Sequence, residues 1–167
     1  MVLLRVTEAE LYQVYFSEEI LNEATRNLLA KGKVASERDA LLLKNGIIAA
    51  FPEAMIEAPY DLINSMRNHH KDRHVLATAI TARARFIITE DSTGFPKQIL
   101  DEYDIEAQHP DKFLTDLCRL YPKQILVAIR GQANKLRKPR VIVKELLDSL
   151  SKELPNFVAE IRKDANT

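Results

Sequence analysis

Two carboxylates, Asp72 and Asp91, are the residues of this 167-residue chain whose type and placement point most directly to chemistry. Asp72 opens the run D-R-H-V-L-A-T-A-I-T-A-R-A, which has helical periodicity. The stretch R-F-I-I-T that follows has the composition of a buried strand leading to Glu90-Asp91. In layered α/β proteins ligands collect outside the carboxyl ends of parallel strands, so an acid delivered there is a metal-site or catalytic-site candidate. On a 3.6-residue period Val75, Leu76, Ala79 and Ile80 share one stripe. Asp72 lies at the helix start on the same side, which aims its carboxylate at the sheet. Each acid also has a purely structural reading: Asp72 as an N-cap, and Asp91 as the turn residue of D-S-T-G.

A third acid joins them. In the helical run E-E-I-L-N-E-A-T-R-N-L-L-A-K, Ile20, Leu21, Ala24 and Leu28 define an apolar stripe that Glu23 flanks, while Glu18 points nearly opposite. The alternative for Glu23 is an exposed helix residue pairing with Asn27 or Arg26. Converging carboxylates suit hard divalent cations, which take oxygen ligands. Without the ion such acids repel one another and titrate as a coupled group. His70 and His74, four apart, suggest a transition-metal clip, or else ordinary residues at a helix start. The basic stretch K-L-R-K-P-R carries Lys135, Arg137, Lys138 and Arg140, which could contact RNA phosphates with Arg119, Lys123 and Arg130 extending the patch. Its alternative is a solvated helix end favourable to the macrodipole.

The elements that must position these groups read as follows. Leu11 to Phe16 has strand composition, and Ser17 stands as the N-cap of a helix that Gly32 closes. Ser36 and Asp39 resemble a capping box before A-L-L-L-K-N-G-I-I-A-A-F, which Pro52 stops. A short apolar piece at Met55-Ile56 and a turn at Pro59 lead to L-I-N-S-M and the Asp72 unit. Beyond Asp91 come a short helix, K-Q-I-L-D-E-Y, and a strand-like I-E-A-Q. The remainder reads as helices over Asp111 to Leu120, Pro122 to Leu136, Val143 to Lys152 and Pro155 to Lys163.

Composition narrows the function classes. The chain is 46% hydrophobic and 29% charged, ordinary for a globular protein with a core of its own. Its lone cysteine, Cys118, cannot form an internal disulfide bridge and reads as a small apolar filler. The N-terminus lacks a signal-peptide pattern, so the expected location is cytoplasmic. Balanced charge, 24 basic against 24 acidic residues, means that any nucleic-acid contact must come from local clustering. Neither a G-x-G-x-x-G nor a Walker pattern is present, and no G-x-S-x-G elbow.

Four segments in this order resemble the PIN-domain family, in particular its bacterial, VapC-like toxin components of toxin–antitoxin pairs. They are F-S-E-E-I-L-N-E at 16–23, D-R-H-V-L-A-T-A at 72–79, I-I-T-E-D-S-T-G-F-P at 87–96 and I-E-A-Q-H-P-D-K-F-L at 105–114. The resemblance implies an α/β fold, a PIN-like parallel sheet flanked by helices with an all-helical C-terminal extension. The expected division is a PIN-like domain over 1–114, N-terminally incomplete, and a helical extension over 115–167. It implies a ribonuclease that hydrolyses RNA with magnesium or manganese held by Glu23, Asp72 and Asp91, and an antitoxin protein as partner.

Two departures qualify the inheritance. The family's opening strand, which ends in an Asp, is missing because Met1 aligns inside the first helix. Gly94 stands where the family carries a further acid before F-P. The missing strand would leave a sheet edge uncovered, which favours a homodimer. Cleavage weaker than that of a full-length relative is therefore expected. The alternative is a non-catalytic PIN-scaffold binding module that pairs with an antitoxin helix or with itself.

Overall fold

Ser17 is extended (φ −99°, ψ 166°) and its hydroxyl accepts the Ile20 amide at 3.2 Å, which starts helix α2 at Glu18. The structure, a computed structural model, describes residues 2–7, 9–135 and 143–165. Its described chain contains α1 (Val2–Thr7), α2 (Glu18–Ala30), α3 (Glu37–Ala50), α4 (Tyr60–Ser65) and α5 (Arg73–Thr81). These are followed by β1 (Phe86–Ile88), α6 (Lys97–Leu100), β2 (Glu106–Gln108), α7 (Pro110–Leu120), α8 (Pro122–Lys135), α9 (Val143–Leu150) and α10 (Pro155–Ala165). The described residues are thus mostly helical with one small sheet, an α/β mixture. The chain divides into two units: one of 1–13, 88–90 and 108–167, the other of 14–87 and 91–107.

In the second unit, local signals place the helices where the sequence puts them. Gly32 adopts the left-handed conformation (φ 66°) and the Lys33 amide returns to the Leu28 carbonyl, closing α2. Ser36 accepts the Asp39 amide, the first arm of the capping box expected before α3, while its hydroxyl, not its backbone amide, donates to the Asp39 carboxylate. Leu11 to Phe16 is not the strand expected. Only Phe16 makes a bridge, parallel to Met55, donating to the Ala54 carbonyl and accepting from Ile56. Strand composition without a neighbouring ladder leaves a single bridge, since β-propensity expresses itself through cross-strand partners. Likewise α2 buries Leu21 and Thr25, while Ala24 of the expected stripe is exposed.

β1 and β2 form a two-stranded parallel sheet. Its register is set by Glu106 donating to the Arg85 carbonyl and Thr89 donating to that of Gln108. Against it the second unit packs a core of Met66, Leu76, Ala77, Ile87, Phe95 and Ile105. Leu76 and Ala77 of α5 are wholly buried, so the small residues of that helix do allow close packing.

The first unit is a helical cluster around Leu114, Cys118, Ile125, Ile129, Phe157 and Ile161. Cys118 is fully buried there as a filler. Prolines begin α7, α8 and α10, where the missing amide costs nothing. Tyr12 sets its ring edge-on to Phe113 (centroids 5.1 Å apart) and donates its hydroxyl to the Leu3 carbonyl at 2.5 Å. Burial pushes the Tyr12 phenol from 10.0 up to about 12, against a smaller opposing pull from Thr7. Because the folded value is raised, the stabilisation is whole below pH 10 and is lost as pH climbs from 10 towards 12. A Tyr12→Phe variant should therefore lose less stability than the parent between those pH values, by about 2 kcal/mol, in denaturant titrations at each pH. Parallel pH profiles for the two proteins would show that the phenol is not held this way.

Candidate metal centre

The three acids singled out from the sequence come to one place. Glu23 on α2, Asp72 at the head of α5 and Asp91 beyond β1 all line a cavity of about 590 Å³ within the second unit. Asn27, His69, Thr93 and Gly94 complete much of its wall, with Arg26 and Lys71.

Asp72 occupies the N-cap position of α5 (φ −105°, ψ 4°), yet its side chain makes no capping hydrogen bond. The structural alternative for this residue is therefore not realised. Its Oδ2 stands 3.3 Å from His69 Nδ1, and the side chain is about one-third exposed. Gly94 explains why it can sit there: a Cβ on Gly94 would lie 2.1 Å from Asp72 Oδ2 and 2.7 Å from Cγ. The loop around Gly94 is tied down, because the His69 amide and the buried Asn68 Nδ2 both donate to the Gly94 carbonyl at 3.3 Å. Against the family pattern Gly94 stands where an acid is expected. In the fold it is the space that Asp72 fills.

Asp91 does act as a turn residue, accepting the Thr93 amide at 2.9 Å. The Thr93 hydroxyl and amide hold its carboxyl below the usual range, with His69 adding a smaller pull in the same direction. The turn and the cavity-lining position coexist in one side chain.

Glu23 does not pair with Asn27 or Arg26. Its Oε2 lies 3.4 Å from Nε2 of His74, an ion-pair distance without hydrogen-bond geometry, and His74 Nδ1 is 3.9 Å from Glu19. His74 is buried on α5 while His70 is exposed in the preceding 3-10 turn, its ring 4.5 Å from that of His69. The change from 3-10 to α geometry between them breaks the shared face that a four-residue spacing suggested. Glu18 points away as expected and pairs with Lys44 at 2.7 Å. Of the basic stretch, Arg137, Lys138 and Arg140 lie outside the described residues, and Lys135 ends α8.

Among the described residues no three His, Cys, Asp or Glu side chains stand close enough to hold one ion directly. Magnesium needs only one or two carboxylates beside water, so an all-oxygen set around an open cavity suits it better than a closed cage would. The room left by Gly94 for Asp72 Oδ2 is consistent with that donor set. No helix among the described residues is long and apolar enough to cross a membrane.

Residues 110–163 match the family described as the VapC50 C-terminal domain. The chain is 40% identical over 119 residues to "Putative ribonuclease VapC50" of Mycobacterium tuberculosis, an alignment covering 71% of this chain and 68% of that protein. No solved structure matches the chain. With such identity over two thirds of a relative, the chain belongs to the VapC toxin family, the PIN-domain group its sequence resembles.

Proposed function

We propose that this chain is a metal-dependent ribonuclease that hydrolyses RNA phosphodiester bonds, with magnesium or manganese held at the wall of Glu23, Asp72 and Asp91 by one or two of these carboxylates and by water. The observation that carries the reading is the convergence of these acids, distant in sequence, on one cavity wall. When bound, a divalent ion supplies charge neutralisation at the scissile phosphate and a more acidic water. The residues supply position. Thr93 orients Asp91, Gly94 gives Asp72 its place, and His74 backs Glu23. A PIN-like arrangement of helices about the sheet, a toxin role and an antitoxin partner belong to the same proposal, supported by the family relationship.

The test is digestion of RNA by the full chain with magnesium or manganese and again after chelation. Cleavage should appear with the ion and stop without it. RNA left intact under both conditions would favour the scaffold acting only as a binding module.

A further inference from the structure

The cavity wall carries cations as well as acids. Arg26, on the exposed side of α2, and Lys71, in the 3-10 turn before α5, line the same opening as Glu23, Asp72 and Asp91. Neither makes an ion pair or hydrogen bond among the described residues, although carboxylates share the wall with them. Elsewhere in the unit some charged side chains do pair: the largely buried Lys44 with Glu18, and the exposed Arg67 with Glu102 and Lys97 with Asp101.

Charge counting shows what this arrangement suits. Three carboxylates against two side-chain cations leave the wall with one net negative charge, which opposes an anionic substrate. A divalent ion reverses the balance to one positive charge, which attracts the phosphates of an RNA backbone. Arginine and lysine also divide the task. A guanidinium matches two phosphate oxygens at once, whereas an ammonium on a flexible stem acts as a mobile point charge.

We infer that Arg26 and Lys71 form the phosphate-binding side of this cavity, each holding a backbone phosphate of single-stranded RNA beside the carboxylates. The assignment rests on the ribonuclease reading and extends it from the acids to the residues that seat the substrate. It needs no contact with the bases, so it predicts uniform weakening across RNA sequences when either cation is removed.

Binding can be read apart from cleavage. Fluorescence anisotropy of a fluorescein-labelled single-stranded RNA, with calcium replacing magnesium to supply the ion's charge, gives Kd for the full chain and its dependence on salt. Arg26→Gln and Lys71→Gln should each raise Kd about 5- to 10-fold at moderate salt. Each should also flatten the plot of log K against log salt by about 0.7, and the double variant by about 1.4. Arg38→Gln, an exposed arginine that does not line the cavity, should change neither. Variants that bind like the parent, with unchanged salt slopes, would overturn the assignment and leave the ribonuclease reading standing. A parent chain that binds no RNA would overturn both.

Discussion

On the proposed ribonuclease reading, Gly94→Ala will lower metal-dependent RNA cleavage about 100-fold while leaving the protein folded. The reason is local and steric. The added methyl would lie 2.1 Å from Asp72 Oδ2 and 2.7 Å from its Cγ, well inside contact distance. Asp72 is short and partly exposed, so it yields by turning its carboxylate aside and not by disrupting the core. Leaving a favoured rotamer costs about 1 kcal/mol in stability. At a reacting centre, displacement by about 1 Å is enough for a 100-fold loss. Asp72→Asn, which keeps the shape and removes the charge, should match this loss in cleavage with no steric cause. Gly94→Asp, which restores the acid that the family resemblance leads one to expect there, should be no better than alanine, because it brings the same Cβ. Full cleavage by Gly94→Ala, with Asp72→Asn inactive, would mean that the carboxylate works from another orientation than the one seen.

The second large effect belongs to stability. Asp111, 5% exposed, sits on the first turn of α7 and accepts three hydrogen bonds from the start of α10. They come from the Phe157 amide at 2.8 Å, Asn156 Nδ2 at 2.7 Å and the Asn156 amide at 3.2 Å. One buried carboxylate thus caps a helix 45 residues away and clamps α10 against α7. Hydrogen bonds to charged groups are stronger than neutral ones, and donors left buried without acceptors carry a full desolvation penalty. Asp111→Ala should cost about 3–5 kcal/mol, because it strands three donors at the start of α10, each worth about 1–3 kcal/mol when buried without an acceptor. For a chain of this size that lowers Tm by roughly 6–20 °C. Asp111→Asn, which keeps one acceptor, should lose about half as much. Calorimetric scans would decide, and hydrogen exchange should show the loss concentrated in α7 and α10. A Tm within a degree or two of the parent would show that water satisfies the α10 amides as well as the carboxylate does.

Asp111 shows what one-dimensional reading misses. It sits next to Pro110 and looks like a first-turn acid favourable to its own helix dipole. Nothing in the local pattern reveals that its oxygens serve a different helix. Gly94 is similar: against the family pattern it reads as a deficit, and only the approach of Asp72 from another segment shows why a side chain has no room there. The strand expected over Leu11 to Phe16 fails for the related reason that a strand is a property of two segments, and only Phe16 finds a partner.

The amino-acid order alone determined the features governed by near neighbours. Ser17, Ser36 and Gly32 bound their helices through bonds spanning three to five residues, and periodicity marked the apolar faces that pack. It also marked Asp72 and Asp91, because carboxylates at a helix head and a strand end are visible as spacing, while Glu23 joined them through the family resemblance. Tertiary structure alone decided which carboxylates carry structural duties and which line a cavity, and placed Arg26, Lys71, His69 and His74 around them. Those choices depend on distances between segments, which arise only when burial of the core folds the chain back on itself and are written in no short stretch of it.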